Sequence, residues 1–212
     1  MKIFIGHDST LEWNTIVCEK SIRKYLPDAD ITRIDIKAMR ELGYDRNEDG
    51  STEFTYTRFL VPMLSGYQGL SLFCDSDFVW QGDPTEIASY SQEYNAVSVV
   101  QHRKYEASEM KMDGRPNSTY DRKWWSSLML FNCSHPHCKR LTVEEVNQAS
   151  PAYLHRLWWA EEKVGKLPGK YNHLVGYDSP GEEVFAYHFT DGTPIHKGQR
   201  FGPCVEKYLE HL

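Results

Sequence analysis

The sequence predicts an α/β protein: a mixed, mostly parallel sheet flanked by helices. Three observations point there. Short apolar runs bounded by polar or Gly/Pro turns recur along the chain, and segments with helical spacing lie between them. Several of the runs also end in acidic or imidazole residues, as in Cys74-Asp75 and Val100-Gln101-His102, and ligands bind beyond the carboxyl ends of strands in such sheets. At 212 residues the chain suits one well-buried domain, taken as residues 1–212.

The elements follow in order. Lys2 to Gly6 is a strand, and Leu11 to Tyr25 a helix stopped by Pro27, with Val17, Ser21, Ile22 and Tyr25 on one face. Asp30 to Ile36 places Ile31, Ile34 and Ile36 in a second strand. Asn47 to Ser51 is a loop, and Ser51 or Thr52 caps a helix from Glu53 to Leu64. Gly66 and Gly69 lead into the apolar run Leu70 to Cys74. Phe78-Val79-Trp80, a short helix from Pro84 and a strand from Ala96 to Val100 come next. Residues 101–123 are polar with Gly and Pro and read as a mobile loop over a site. Ser127 to Asn132 is a strand, His135 to Gln148 and Tyr153 to Trp159 are helical, and Glu183 to Phe189 is a closing strand.

Composition narrows the function. Hydrophobic residues make up 40% and aromatics 13%, enough for a substantial core. The 24 basic and 30 acidic residues give a formal charge of −6, which offers no support for a nucleic-acid or anionic-membrane partner. The amino terminus turns polar too early for a signal peptide, and no apolar stretch reaches membrane-spanning length. Five cysteines without framework spacing fit a reducing compartment, so a cytoplasmic protein is expected. Cys133-Ser134-His135-Pro136-His137-Cys138 carries four zinc-ligand types, but ligands crowded on one turn do not readily close a tetrahedron. That run reads as a strand end followed by a Pro-initiated helix.

Asp75-Ser76-Asp77 is the most informative feature. Two carboxylates at the end of a core strand can hold a hard divalent cation against substrate phosphates. His188, ending the run Val184 to Tyr187, is the natural third ligand, and a carboxylate–imidazole set suits Mn2+ better than Mg2+. Arg58 sits in the otherwise apolar segment Phe54 to Leu64, and needs an anion there, either an internal carboxylate or a substrate phosphate. Asp8 follows the first strand, where it can cap the next helix, contact a base or ribose, or do both. His7-Asp8, Asp75-Asp77, Gln101-His102 and His188 all fall just past apolar runs, and together they describe one polar edge.

Several segments resemble retaining glycosyltransferases of the family 8 type, which include glycogenin and bacterial lipopolysaccharide glycosyltransferases. They are Phe54 to Pro62 with Leu72 to Asp77, Trp125 to Asn132, Leu167-Pro168-Gly169-Lys170-Tyr171-Asn172, and His188 to Gly192. The resemblance runs in order from Ile3 to about Gly192. It implies a GT-A fold, a UDP-sugar or related donor, a Mn2+ or Mg2+ ion, and a glycan, lipid-linked or protein acceptor. Carried over by position, Asp75, Asp77 and His188 bind the metal. His7, Asp8, Ser76, Gly192 and Lys197 contact the donor, and Arg58 positions it.

The chain departs from that pattern in three places. Where the family has Asp-Gln-Asp, this chain has His155 to Glu162, with Glu161 or Glu162 either replacing the acid or forming a solvated helix end. Lys197 stands a few residues from the family's late Lys-Pro-Trp, and Ser127 replaces a small Gly. Trp124, Trp125, Trp158 and Trp159 offer either a sugar-stacking platform or core packing. Two rival functions remain: a sugar nucleotidyltransferase, disfavoured because His7 to Glu12 lacks glycine and lysine, and a nucleotide-sugar-binding module without turnover.

Overall fold

In chain order the strands are Lys2–Gly6 (β1), Ile31–Ile34 (β2), Leu70–Cys74 (β3), Phe78–Trp80 (β4), Val97–Val100 (β5), Leu128–Asn132 (β6), Val164–Leu167 (β7), His173–Leu174 (β8) and Ala186–His188 (β9). The α-helices are Glu12–Tyr25 (α1), Ile36–Glu41 (α2), Val61–Leu64 (α3), Val143–Gln148 (α4), Pro151–His155 (α5) and Val205–Leu209 (α6). This computed structural model describes residues 1–46, 50–103, 121–179, 183–195 and 204–212.

The main sheet has the order β2-β1-β3-β6-β5-β7. β1 runs parallel to β2 and β3, and β5 runs parallel to β7, while β6 is antiparallel to both of its neighbours. The mixed, mostly parallel sheet is therefore the predicted one. A smaller sheet, β4-β9-β8, stands beside it. Side chains alternate across the main sheet as a period of two requires. Ile3, Ile5, Leu72, Cys74, Leu128 and Leu130 join Cys18 and Ile22 of α1 and Trp80 on one face. Phe4, Phe73, Val97, Val99, Met129 and Phe131 pack on the other with Val146, Leu154 and Trp159.

Strand direction positions the site. Cys74 at the end of β3 pairs with Leu128 at the start of β6, and Val100 at the end of β5 pairs with Leu167. The carboxyl ends of β1, β3, β5 and β7 thus meet the amino end of β6 at one edge. Gly6 ends β1 there, and a Cβ on it would come within 2.3 Å of Phe54 Cδ2. Only glycine lets the Phe54 ring, and the segment bearing Arg58, lie so close to the strand end.

Several boundaries differ from the expectations. The second strand stops at Ile34, because Asp35 caps α2 by accepting from the Lys37 and Ala38 N–H groups at 2.8 and 3.2 Å. The segment 53–64 is not one α-helix. Residues 53–56 form turns, Thr57–Leu60 is 3-10, and α3 begins at Val61. Pro62 has no N–H to bond back to Arg58, so a continuous helix is interrupted there. The stretch 135–148 divides into a 3-10 turn, Cys138–Arg140, and α4, which Thr142 caps through its hydroxyl. Strand β7 was not anticipated: Gly165 and exposed Lys166 break its apolar pattern, and pairing beside β5 defines it. The loop expected over 101–123 falls largely on 104–120, outside the described residues, as do Asn47 to Asp49.

Candidate metal centre

Asp75, Asp77 and His188 converge, each offering a ligand atom that lies within 4.8 Å of the others. Two strand pairings achieve this. The Asp75 N–H donates to Ser127 O at 2.9 Å, which carries the β3–β6 ladder one residue past Cys74. In the small sheet Phe78 pairs with His188, and the Phe189 N–H donates to Asp77 O at 3.0 Å. The Phe78 and His188 rings stack with centroids 4.5 Å apart. Sequence-distant groups are thereby fixed by backbone rather than by long flexible side chains.

Arg58 is nearly buried, and its Nη1 lies 2.8 Å from Asp75 Oδ1. The same nitrogen donates to Ser126 O at 2.9 Å, and the guanidinium carbon sits 5.2 Å from the Phe54 and the Phe73 ring centroids. Of the two anions left open by the sequence, the internal carboxylate is the one it meets. Arg58 therefore supports a cluster ligand from beneath.

His188 Nε2 lies 3.4 Å from Asp77 Oδ1, and its Nδ1 lies 2.9 Å from Asn172 Oδ1. Two carboxylates and one imidazole form a hard-leaning oxygen and nitrogen donor set that fits Mn2+. Among the described residues this is the one such group of three or more. The Cys133–Cys138 run is different: Cys133 and Cys138 are buried in the core, and the Cys138 thiol donates to Ala96 O at 3.1 Å.

The other predicted residues are placed as follows. Asp8 is a cap: its Oδ1 accepts from Thr10 N–H at 2.9 Å, and its Oδ2 accepts from Glu53 N–H at 3.2 Å. His7 Nδ1 lies 3.0 Å from Thr15 Oγ1 on α1. Ser76 is buried between the two acids. Gly192 closes a turn after β9 with φ at 122°, donating to Phe189 O at 2.7 Å. Lys197 lies outside the described residues.

Glu161 is a correction. It precedes β7, whose start pairs with the start of β5, so it belongs to the opposite edge of the sheet. There it is exposed and pairs with Arg140 at 3.2 Å. The four tryptophans also separate. Trp159 is core, stacked on Phe131 at 6.1 Å, and Trp158 is exposed beneath Arg156. Trp124 and Trp125 remain at the site edge: Trp124 lies 5.0 Å from Tyr177, and Trp125 Nε1–H donates to His102 O at 3.1 Å.

His102 belongs to the same neighbourhood. Burial, and then the nearby His188, push its ring down to about 4, with His173 adding slightly and Asp178 and Asn172 opposing. The ring is neutral at pH 7. An unfolded chain takes up this proton near 6.5, so the folded form is favoured above that value and loses stability as pH falls toward 4. The whole window is worth on the order of 3 kcal/mol. Urea midpoints measured from pH 7 to 4.5 should fall more steeply for the wild type than for His102→Gln, and parallel slopes would contradict this.

No protein-family model matches the chain. It is 38% identical over 204 residues to Protein CDI of Arabidopsis thaliana, covering 91% of this chain and 78% of that protein. Among solved structures, the galactosyltransferase LgtC, in complex with donor and acceptor sugar analogues, superposes with a TM-score of 0.65 at 15% identity. That match covers 99% of this chain and 94% of LgtC. The glycosyltransferase GlyE of Streptococcus pneumoniae TIGR4 superposes with a TM-score of 0.64 at 14% identity, over 99% of this chain and 60% of GlyE. At these identities the likeness is one of fold, the GT-A glycosyltransferase fold that the sequence motifs resemble. Among the described residues no helix is long and apolar enough to cross a membrane.

Proposed function

The chain belongs to the family of Protein CDI and has a GT-A glycosyltransferase fold, and from that premise we propose that it is a metal-dependent hexosyltransferase. The donor in this reading is a nucleoside-diphosphate sugar, with UDP-sugar the first choice. The acceptor is a glycan, lipid-linked or protein group, and residues 1–212 act as one unit. The observation that carries the proposal is the convergence of Asp75, Asp77 and His188 at the carboxyl edge of the sheet.

In this reading Asp75, Asp77 and His188 hold a Mn2+ or Mg2+ ion. Such an ion, when bound, neutralises the charge that develops on a departing diphosphate. The remaining work falls to the chain itself. Arg58 holds Asp75 in place and places a second positive charge beneath the site. The buried ends of β3 and β6 give the cluster a dry floor, which strengthens charge interactions above it. His7, Asp8, Ser76, Gly192 and Lys197 are the proposed donor contacts, with the anomeric configuration retained.

A nucleotide-sugar-binding module without turnover is the second reading, favoured by the place of Glu161 on the opposite edge. Hydrolysis and transfer assays with Mn2+ and a panel of nucleotide sugars separate the two. The first reading expects turnover of at least one donor, lost in Asp75→Ala/Asp77→Ala. Tight donor binding with no turnover across donors and acceptors would favour the second.

A further inference from the structure

Three buried side chains lie in a row behind the metal centre, ending on the Trp124 carbonyl, and the hydrogen bonds fix the role of each. Ser127 Oγ is 2.7 Å from Trp124 O, a carbonyl that can only accept, so the single hydroxyl proton of Ser127 goes there. Ser127 Oγ is also 3.0 Å from one end of the Asn172 amide. With its proton committed, the hydroxyl can only accept from Asn172, so that end is the NH2. The other end, 2.9 Å from His188 Nδ1, is then the amide oxygen. An amide oxygen cannot donate, so Nδ1 carries the proton, and in the neutral ring the lone pair sits on Nε2, the nitrogen 3.4 Å from Asp77 Oδ1. Asn172 is wholly buried, and Ser127 and His188 are nearly so, which leaves no solvent to scramble these roles.

We infer that Ser127 and Asn172 are positioning residues that fix the tautomer of His188 and present its Nε2 lone pair to a divalent cation at the Asp75–Asp77 cluster. A lone pair aimed at a carboxylate oxygen is unfavourable unless a positive charge lies between them, and the row of hydrogen bonds holds the ring in that arrangement. Ser127 serves the site twice, because its carbonyl also receives the Asp75 N–H at 2.9 Å. The arrangement is the outer-sphere support that histidine ligands receive at metal sites, where loss of the partner weakens metal binding about 10–100-fold. The inference rests on the proposed metal-dependent reading for its cation and on geometry alone for its tautomer.

Two measurements test it. Long-range 1H–15N spectra should show a proton on His188 Nδ1 in the metal-free protein, and Nε2 without a proton once Mg2+ is bound. In Ser127→Ala, which keeps the carbonyl that holds Asp75, a form with Nδ1 bare and the proton on Nε2 should appear. Mn2+ affinity, followed by the electron paramagnetic resonance of free Mn2+, should fall about 10–100-fold in Asn172→Leu and by a smaller factor in Ser127→Ala. Asn172→Asp, which still accepts from Nδ1–H, should recover most of that loss. A bare Nδ1 in the wild type overturns the inference, as does unchanged Mn2+ affinity in both Asn172→Leu and Ser127→Ala. Should Asn172→Leu fail to fold, Ser127→Ala decides alone. Failure of the wild type to bind Mn2+ would end the functional reading instead, with the tautomer spectrum still deciding the role of the row.

Discussion

Arg58→Met should destabilise the protein by about 3–5 kcal/mol, read as a fall in the urea midpoint at pH 7. The reason is the environment rather than the ion pair as such. Arg58 and Asp75 side chains are 7% and 16% exposed and 2.8 Å apart, so solvent screens them weakly. Losing the guanidinium leaves the Asp75 carboxylate in that setting without its countercharge, and removes the group packed against the Phe54 and Phe73 rings. Arg58→Lys should restore only part of the loss, because one ammonium can take over the Nη1 contacts to Asp75 and Ser126 O but not also the Nε–H that donates to Phe54 O at 3.3 Å. Arg58→Met/Asp75→Asn should recover part of it, since the stranded charge is gone. A loss under 1 kcal/mol in the single variant would show that the pair is not a supporting contact of the site.

The second large effect separates binding from stability. Asp77→Ala should weaken Mn2+ binding on the order of 100-fold or more, beyond the 10–100-fold cost of losing an outer partner. Without metal, however, it should leave the urea midpoint unchanged or raised. Asp75 and Asp77 carry like charge within a cluster whose ligand atoms lie within 4.8 Å, and removing one relieves that repulsion. The backbone of Asp77, which accepts from Phe189 N–H, is untouched by the change. Arg58→Met and Asp77→Ala therefore act on opposite columns, one mainly on folding and the other mainly on the cation. A large destabilisation of metal-free Asp77→Ala would contradict this division.

What the sequence revealed and what it hid follow from how local each signal is. β1, β3, β5 and β6 are continuous apolar runs, and their ends match the sequence expectation closely. α1 shows its buried face through Val17, Ser21 and Ile22, spaced as a helix requires. The elements that escaped are defined by partners. β7 carries Gly165 because a Cβ there would lie 2.2 Å from Asn95 Nδ2, and no periodicity announces such a strand. β8 has two residues and exists only through its pairing with β9.

The site divides in the same way. Asp75, Asp77 and His188 were legible because each ends an apolar run, and strand ends share an edge. Arg58 was legible as a buried charge but not by partner, which depended on the Ser126 turn folding over it. Glu161 was misplaced because the direction of β7 is invisible in its four residues. Asn172 could be seen only as part of the Leu167–Asn172 segment, and Ser127 only as a bulkier residue at a glycine position. Their connection crosses 45 residues and needs the starts of β6 and β8 in place.

The most direct test of the metal-centred diphosphate site is calorimetric titration of UDP into the protein with and without Mn2+, for the wild type and Asp75→Ala/Asp77→Ala. The site described above predicts UDP binding that requires Mn2+ and disappears in the double variant. Absence of UDP binding in the presence of Mn2+, or equal binding by the wild type and the double variant, would contradict it.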